Sequence, residues 1–540
     1  METITLTTDE FNMLIAQRDT FQQQHNTLHQ ERNILQVERE TLRSELRVVT
    51  VERDLLQERV NALLRQTFAA KSEARGTHQK DLFINEAEAL APTADTPAAQ
   101  EAVPNDSIKV EGHERKRRGR KPLDPALPRE VVRHELPESE RICPHDGEAL
   151  VEIGVETSEQ LDIIPQKIRV IQHQRVKYAC PCCDQGIKVT PAQPRIIPKG
   201  LLTESALAWV VTSKYQDALP LYRQAALLGR FGGDLSRNTL AASVVRVGEA
   251  VQPIINLMRD HLLESDLVYG DETVIQVLKE SGRAAQTKSY LWAQMNGTGP
   301  PVRLFGYAPG RGSAQASERY AGIKQGAALI TDGYEVYNGI AKAQGLVHLA
   351  CWAHCRRYFI EAEAALPKAV RHAEHPATQM IAAIGQLYAV ESRAKEMTAT
   401  ERGQLRQTDS QPVLERIQEL LHRHLHAVAP NSLLGKALHY MEGQWPKLIR
   451  YVDNGAWPID NNLCENAIRP FVVGRRNWLF ADTVGGAHAS ANLYSLIETC
   501  KANSIDTYQY LIALFKALPL AETVDDYEAL LPWQISIPSA

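Results

Sequence analysis

The chain has 540 residues, a formal net charge of −5 and an ordinary globular composition, 44% hydrophobic and 23% charged. The length exceeds what one hydrophobic core holds, so we expect several domains, and the weak net charge leaves nucleic-acid binding to local basic segments. No run of about 18 uncharged apolar residues predicts a membrane span, and METITLTTDEFNML predicts no secretory signal, so we expect a cytoplasmic protein. Eight cysteines in clusters favour a metal site over a disulfide framework.

An unbroken apolar heptad runs through residues 9–66. Its members are Leu14, Phe21, Leu28, Leu35, Leu42, Val49, Leu56 and Leu63. Such a seam predicts a helix that pairs with a second helix. The companion seam includes basic residues such as Arg18 and Arg39, which would repel their own copies in a parallel pair, so we expect a modest coiled-coil dimer. The alternative is an amphipathic helix packed on its own protein.

A flexible linker that ends in a basic segment is expected next. Residues 84–107 are rich in Ala, Pro and acids, which is typical of a linker. The segment RKRRGRKPLDP follows at 115–125, and an extended Arg-Gly-Arg segment can lie in a narrow minor groove. The residues that we expect to contact DNA here are Arg117, Arg118, Arg120 and Lys121. The alternative is a solvated basic linker.

Two cysteine-containing turns predict a zinc-ribbon-like module. CPHDG supplies Cys143, and YACPCCD supplies Cys180 and Cys183 in a CxxC spacing. Tetrahedral Zn²⁺ would tie the two turns together. The usual spacing would place a fourth cysteine at a position that Asp146 occupies, and His145 beside it is the alternative ligand. A ribbon that no longer holds metal is the other interpretation.

Residues 201–262 are predicted to be helical. SRNTLAASVVRV begins with Ser236 as a helix cap and places Arg237 and Asn238 in the first turn. This helix is either the second helix of a DNA-binding helix-turn-helix or a plain core helix.

From residue 266 the sequence pattern changes from one typical of helices to one typical of strands. Segments rich in β-branched and aromatic residues predict strands at 266–278, 289–296, 302–308, 327–332 and 346–350. Residues 356–455 are rich in Ala, Leu, Glu and Arg and predict helices, as does the amphipathic C-terminal segment.

Three carboxylates predict a two-metal site. Asp271 lies within the first strand, Asp332 ends the fourth, and Glu465 lies in a predicted helix. Two Mg²⁺ ions held about 3.5–4 Å apart by hard oxygen ligands serve phosphoryl transfer, and these three residues could supply the ligands. Taken singly, each acid is weak evidence, because an Asp at a strand end is more often a turn or surface residue. Glu272 adjoins Asp271, but strand alternation predicts opposite faces for the two.

The predicted helix of Glu465 carries further polar residues. Asp460 is placed to cap this helix, and Asn462 and Asn466 share a face with Glu465, where they would orient the carboxylate. Arginines that would meet phosphate and aromatic rings that would stack on an unpaired base follow. These residues are Arg469, Arg475, Arg476, Trp478 and Phe480.

Over nearly its whole length the chain resembles the large transposase of the insertion-sequence-sixty-six family of bacterial mobile elements. The resemblance lies in the zipper, RGRKPLDPALPRE, the ribbon, YGDET, ITDGYEVYN, HLACWAHCRRYF, IDNNLCENAIRPFVVGRRNWLF and SLIETCKANSIDTYQYL…LLPW. It implies a ribonuclease-H-like catalytic domain, an Asp-Asp-Glu triad at Asp271, Asp332 and Glu465, and a helical insertion before the glutamate. It also matches Cys351 and His354 to a Cys-x-x-His pair that orients the site or binds a metal; burial in a strand-to-helix turn is the alternative.

The function that this resemblance implies is DNA transposition. The enzyme would cleave the element's ends by hydrolysis and join the freed 3′-hydroxyl to target DNA, with two Mg²⁺ or Mn²⁺ ions and one Zn²⁺. The implied partners are the terminal repeats, target DNA, a second copy of the chain or a higher oligomer, and small accessory proteins of the same element, with no membrane. The alternatives are a DNA-binding regulator with inert carboxylates and a ribonuclease-H-like nuclease that cuts without joining.

We therefore expect a multidomain α+β protein. In chain order its parts are a coiled coil (1–66), a linker with the basic segment (67–135), a zinc-ribbon-like module (136–192), a helical DNA-binding region (193–262), the first part of a ribonuclease-H-like domain (263–355), a helical insertion (356–455), the second part of that domain (456–485) and C-terminal helices (486–540).

Overall fold

The computed structural model describes residues 7–68, 168–179, 187–367 and 371–536. The chain divides into two compact units, one formed by Met1–Pro92, Arg175–Leu227 and Asp234–Ala540 and the other by Thr93–Gln174 and Leu228–Gly233. The first unit combines helices with a mixed sheet, which confirms the α+β class. Among the described helices, none combines the length and the apolar character that crossing a membrane requires.

The N-terminal segment is one continuous helix, α1 (Thr8–Phe68), as the heptad predicts. Its seam is solvent-exposed. The seam residues that are 51–68% exposed are Leu14, Phe21, Leu28, Leu35, Leu42, Val49 and Leu56. Near its C-terminal end, Glu58 accepts a hydrogen bond from the backbone N–H of Leu433 at 3.1 Å. The described part of the chain therefore does not cover the seam, which leaves it open for a second helix.

A short hairpin and four helices follow. They are β1 (Lys177–Ala179), β2 (Ile187–Val189), α2 (Glu204–Tyr215), α3 (Leu221–Arg230), α4 (Arg237–Ala250) and α5 (Gln252–Leu263). The hairpin strands are antiparallel, and the residues between them, which include the second cysteine turn, lie outside the described residues. Ser236 caps α4 as predicted, since its Oγ accepts from the N–H of Thr239 at 3.1 Å. Toward its other end Gly248 packs directly against Ala489, so this half of α4 is a core helix.

The second unit is described only in part. Within it, residues 228–233 form a turn in which the N–H of Gly233 donates to the carbonyl of Leu228 at 2.9 Å. Gly232 has a φ of +85°, a conformation that glycine adopts without steric cost.

A mixed sheet forms the centre of the first unit, and all five predicted strands belong to it. Its strands are β3 (Leu267–Lys279), β4 (Lys288–Asn296), β5 (Arg303–Ala308), β6 (Ala328–Thr331), β7 (Val347–Ala350) and β8 (Ala481–Thr483). The first three pair antiparallel and the next two are parallel to β3, in the order β5-β4-β3-β6-β7; β8 also pairs with β3 in parallel. Two helices that the sequence reasoning missed connect the strands, α6 (Ser313–Tyr320) and α7 (Val336–Gln344).

Helices fill the interval between β7 and the predicted helix of Glu465. They are α8 (Trp352–Ala365), α9 (Pro376–Arg393), α10 (Ala399–Leu405), α11 (Gln411–Leu425) and α12 (Leu433–Leu448). Trp352, Phe359, Leu387, Leu421 and Met441 belong to their common apolar core. Burial of such side chains stabilises this part by roughly 1.5–3 kcal/mol for each residue.

The remaining helices return the chain to the sheet. They are α13 (Asn462–Trp478), α14 (Val484–Ala502), α15 (Thr507–Ala517) and α16 (Val524–Glu528). Helix α14 covers the edge strand β5. The hydroxyls of Ser495 and Thr499 accept from the backbone N–H groups of Phe305 and Arg303 at 2.8 and 2.9 Å. These bonds satisfy edge N–H groups that would otherwise be free to pair with another chain.

Candidate active site

Asp271 lies within β3 and Asp332 directly follows β6, and the two residues are at the same level of these neighbouring parallel strands. In the register of β3 and β6, Tyr269 lies opposite Ile330, and each acid lies two residues beyond its member of that pair. One oxygen of each acid is held by the local backbone. Asp271 Oδ1 accepts from the N–H of Glu272 at 2.8 Å, and Asp332 Oδ1 accepts from the N–H of Tyr334 at 2.9 Å. The sheet therefore brings the two predicted aspartates together.

Glu465 lies in the first turn of α13, as predicted. Its carboxylate faces two side chains of α8. Oε2 lies 3.5 Å from Nη2 of Arg357, and Oε1 lies 3.4 Å from Nδ1 of His354. Both Oε1 and this Nδ1 are buried, and neither has a hydrogen-bond partner among the described residues. An unsatisfied carboxylate oxygen that faces an unsatisfied ring nitrogen is suited to share a proton or a metal ion.

The electrostatics of Asp271 connect all three acids. Burial raises its pKa well above the ordinary value, and the negative charges of Asp332, Glu272 and Glu465 raise it further, against the one backbone hydrogen bond that lowers it. Carboxylates whose charges raise the pKa of buried Asp271 must lie near it in a poorly solvated place. Three segments that are far apart in sequence thus converge on one acidic site.

Cys351 and His354 lie at the start of α8, directly after β7. The Sγ of Cys351 accepts a hydrogen bond from the backbone N–H of Asn461 at 3.2 Å. Ligand atoms of Cys351, His354 and Glu465 all lie within 4.8 Å of one another, so the three side chains could together hold a metal ion. Burial lowers the pKa of His354, while the charge of Glu465 raises it. In this strand-to-helix turn Cys351 is buried and His354 is partly buried, and both lie near the predicted glutamate.

Asn461 is the residue of this site that the sequence reasoning missed. It is fully buried, and its side-chain amide donates to the carbonyl of Gly270 at 3.0 Å, next to Asp271. Its own carbonyl accepts from the N–H of Glu465 at 3.2 Å. The IDNN motif contains two neighbouring asparagines, and the prediction from helical spacing selected the second, Asn462. The first, Asn461, is the N-cap of α13.

Two of the predicted partners of Glu465 do not contact its carboxylate by any described hydrogen bond. The Nδ2 of Asn462 donates instead to Oδ2 of Asp460 at 2.7 Å, and Asn466 is exposed. Asp460 does act at the helix start, because its Oδ1 accepts from the N–H of Asn462 at 3.1 Å.

Glu272 is buried beside the site. The hydroxyl of Tyr337 donates to its Oε2 at 2.6 Å, and Nη1 of Arg311 lies 3.7 Å from its Oε1. Burial raises its pKa, and the charge of Asp332 raises it further. Glu272 thus has partners from α7 and from the loop before α6, whereas Asp271 has neighbouring carboxylates.

The basic and aromatic residues after Glu465 face different surroundings. Arg475 turns inward and donates to the backbone carbonyl of Val274 on β3. Trp478 packs edge-on against Tyr215, with ring centroids 6.3 Å apart, under the ammonium of Lys214. Arg476 is exposed and Phe480 is 42% exposed, while Arg469 is partly buried. Of the predicted DNA contacts in this segment, Arg476 and Phe480 are the most accessible.

The other predicted site residues lie outside the described residues. They are the basic residues Arg117, Arg118, Arg120 and Lys121 and the zinc ligands Cys143, His145, Asp146, Cys180 and Cys183.

Four descriptions of known protein families match segments of this chain. The description "Transposase IS66 family" matches residues 199–489, which is more than half of the chain and contains the three acids. "Zinc-finger binding domain of transposase IS66" matches 140–184, "IS66 C-terminal element" matches 495–533, and "Transposase C of IS166 homeodomain" matches 55–132. The class is therefore a transposase of a mobile DNA element.

Curated relatives agree with these matches. Uncharacterized protein y4qI of Sinorhizobium fredii is 33% identical over 417 residues, which cover 75% of each chain. Uncharacterized protein y4hP of the same organism is 30% identical over 495 residues, which cover 88% of each chain. The chain belongs to the IS66 transposase family, as its sequence motifs indicated.

Proposed function

We propose that this chain cleaves and joins DNA as a DDE-type transposase, with Asp271, Asp332 and Glu465 as ligands of two divalent cations. The observation that carries the proposal is the convergence of the three carboxylates: Asp271 and Asp332 lie at the same level of neighbouring strands, and the charges of Asp332 and Glu465 act on buried Asp271. A cation bound among these carboxylates would neutralise that repulsion.

The donor set fits Mg²⁺ or Mn²⁺. Carboxylate oxygens are the ligands that these hard ions prefer, and one buried oxygen of Glu465 has no described hydrogen-bond partner. When bound, such ions activate an attacking oxygen and stabilise a leaving oxygen in phosphoryl transfer. Asn461 would keep the helix of Glu465 in register with Asp271, and Arg357 would bind phosphate beside the glutamate.

The proposed reaction has two displacement steps at phosphorus. In the first, a water oxygen attacks the phosphodiester at the element's end, the bond to the 3′ oxygen breaks, and that oxygen leaves with a proton as a free 3′-hydroxyl. In the second, this hydroxyl attacks a phosphodiester of target DNA and displaces another 3′ oxygen. Each step forms one P–O bond and breaks one, the proton of the attacking oxygen is balanced by the proton that the leaving 3′ oxygen takes up, and no ATP and no covalent enzyme intermediate are needed.

The fold gives the proposal independent support. Three antiparallel strands followed by two parallel strands, with the first two acids on adjacent strands, are consistent with a ribonuclease-H-like domain. The helices from α8 to α12 would then be an insertion between Asp332 and Glu465. A coiled-coil dimer through α1, one Zn²⁺ in the ribbon, DNA contacts from the basic segment and accessory proteins of the same element complete the proposal.

The test compares wild type with Asp271→Asn, Asp332→Asn and Glu465→Gln on a labelled duplex that carries the element's own end, with Mg²⁺ present. We expect each variant to bind the duplex and to lose both nicked and joined products. Asp266→Asn is the matched control, because this exposed residue near β3 pairs with Lys324 at the surface and is expected to leave activity unchanged. Joined product from the Glu465→Gln protein would remove that residue from the triad.

The same experiment separates the two alternatives. Nicking without joining by wild type, once accessory proteins have been added, would indicate a nuclease. Binding without cleavage by any of the proteins would indicate a regulator with inert carboxylates.

A further inference from the structure

An exposed aromatic ring lies beside the acidic site. Tyr358 of α8 is 40% exposed, although it directly follows Arg357, which contacts Glu465. It lies one helical turn after His354, which faces the same carboxylate. The ring is therefore at the mouth of the site and accessible to solvent.

The ring of Tyr358 is held by a second tyrosine. Tyr440 of α12 lies against it with ring centroids 4.5 Å apart and an interplanar angle of 33°. Tyr440 in turn packs on the turn that follows Asp332, since a Cβ added at Gly333 would lie 2.6 Å from its ring. One side of the Tyr358 ring is thus supported by a partner that rests on the catalytic turn.

The charge of Asp332 is felt by both tyrosines. The pKa of Tyr358 is raised by burial and then by the charges of Glu361 and Asp332. Burial also raises the pKa of Tyr440, and Asp332 is again among the charges that raise it further.

The aromatic side chains after Glu465 are placed differently. Trp478 is packed between Tyr215 and Tyr494, and its ring also covers Gly474 of its own helix. Phe480 is exposed, but it lies beyond the C-terminal end of α13, four helical turns from Glu465. Among the described residues, Tyr358 is an exposed aromatic side chain that lies close to the acids in this way.

We infer that Tyr358 is the platform on which one unpaired base at the DNA end stacks when the end enters the site. This inference rests on the proposed function, because it assumes that the carboxylates act on a DNA end. A free aromatic face with a cation beside it fits a nucleotide: the ring accepts the base, and Arg357 meets the adjacent phosphate. Support from Tyr440 fixes the ring in advance, which limits the entropy lost on stacking.

The experiment is a double-mutant cycle between Tyr358 and single bases of the element's end. Dissociation constants are measured in Ca²⁺ buffer for intact ends and for ends that lack one base at each terminal position in turn. We expect loss of one particular base to weaken binding by wild type and Tyr358→Phe about five- to a hundred-fold, as expected for loss of one stacked base. The Tyr358→Ala protein should bind the intact end as weakly as wild type binds the end that lacks this base. Removal of the base should not weaken its binding further.

Phe480→Ala is the comparison variant. The inference would be overturned if removal of a base weakened DNA binding by the Tyr358→Ala protein as much as binding by wild type at every position. If the effect of removing a base disappeared in the Phe480→Ala protein instead, Phe480 would be the stacking platform. Thermal unfolding of each variant shows whether it is folded, and Tyr358→Phe retains the ring if the alanine variant is unstable. If wild type binds and cleaves the end but the effect of base removal does not depend on Tyr358, only this inference is contradicted. If wild type does not cleave the end, the proposed function is contradicted.

Discussion

Asn461 donates its side-chain N–H to the carbonyl of Gly270 at 3.0 Å, and so joins the start of the helix that carries Glu465 to the residue before Asp271. The backbone N–H of the same residue donates to Cys351 at 3.2 Å. One buried residue, through its side chain and its backbone, therefore connects the elements of the first acid, the third acid and the Cys-x-x-His pair.

We predict that Asn461→Ala lowers cleavage about ten- to a hundred-fold and raises the Mg²⁺ concentration needed for half-maximal activity. Supporting partners of metal ligands have effects of this size, because they orient the ligand. The measurement is a Mg²⁺ titration of the cleavage rate, with Asn466→Ala on the exposed side of the same helix as control. A Mg²⁺ requirement equal to that of wild type would show that Asn461 serves stability alone.

Gly333→Ala is predicted to destabilise the protein by about 1–3 kcal/mol, because the added methyl group would overlap the ring of Tyr440. Gly339→Ala is the control. It lies inside α7, where a Cβ meets no other atom within 4 Å, and alanine in a helix interior gains up to about 1 kcal/mol. Thermal unfolding of the two variants should shift in opposite directions. Equal midpoints would mean that Tyr440 moves aside at little cost.

Acid sensitivity is predicted for buried His348 of β7, which shares a hydrogen bond of 2.8 Å with the hydroxyl of Thr331. Burial, followed by the charges of Lys447 and Arg450, lowers its pKa from 6.5 to about 3. Below pH 6.5 the unfolded chain binds a proton that the folded chain excludes, so stability falls as pH falls, by about 2 kcal/mol at pH 5.

The His348→Gln variant tests this dependence. Because the variant loses native packing, its unfolding midpoint at pH 7.5 should lie below that of wild type. Because it lacks the titrating imidazole, this difference from wild type should be smaller at pH 5. Gly339→Ala, which changes no titratable group, should keep a constant difference from wild type. A constant difference for His348→Gln as well would mean that His348 is protonated in the folded protein at pH 5.

The exposed seam of α1 predicts self-association. Leu28→Asp combined with Leu35→Asp places charges within the seam and should convert a dimer to a monomer in sedimentation equilibrium. Val37→Asp is the matched control, since Val37 is equally exposed on the same helix but lies off the seam. A wild-type monomer at micromolar concentration would refute pairing through α1.

Much of the fold was predictable because its signals are local. The strand that carries Asp271 is rich in β-branched and aromatic residues, and the helix that carries Glu465 follows its cap, so both elements occur within a residue or two of the expected bounds. Asp271 and Asp332 come together as the pairing of β3 with β6 requires, whereas Glu465 is brought near them by helix α13. Residue types and periodicity were sufficient for these features.

The parts that were missed depend on tertiary contacts. Arg475 turns inward because the carbonyl of Val274 offers it an acceptor, and Trp478 folds back because Gly474 leaves room for its ring. Tyr358 was passed over because a tyrosine on a long amphipathic helix is ordinarily a core or surface residue. Only the approach of Tyr440 shows which face of that ring stays free.

Strand β3 carries Asp271, and it also makes the contacts that position the segment of Glu465. Asn461 binds it at Gly270, Arg475 binds it at Val274, and Ala481 of β8 lies opposite Val277. The last of these partners is synthesised some two hundred residues after the strand itself. A nascent chain can therefore fold its hairpins and insertion while its acidic site is still open on one side, and contacts of such long sequence separation form late. Assembly of the three carboxylates therefore waits for the C-terminal segments, and a chain that ended before them would lack the third acid of the proposed site.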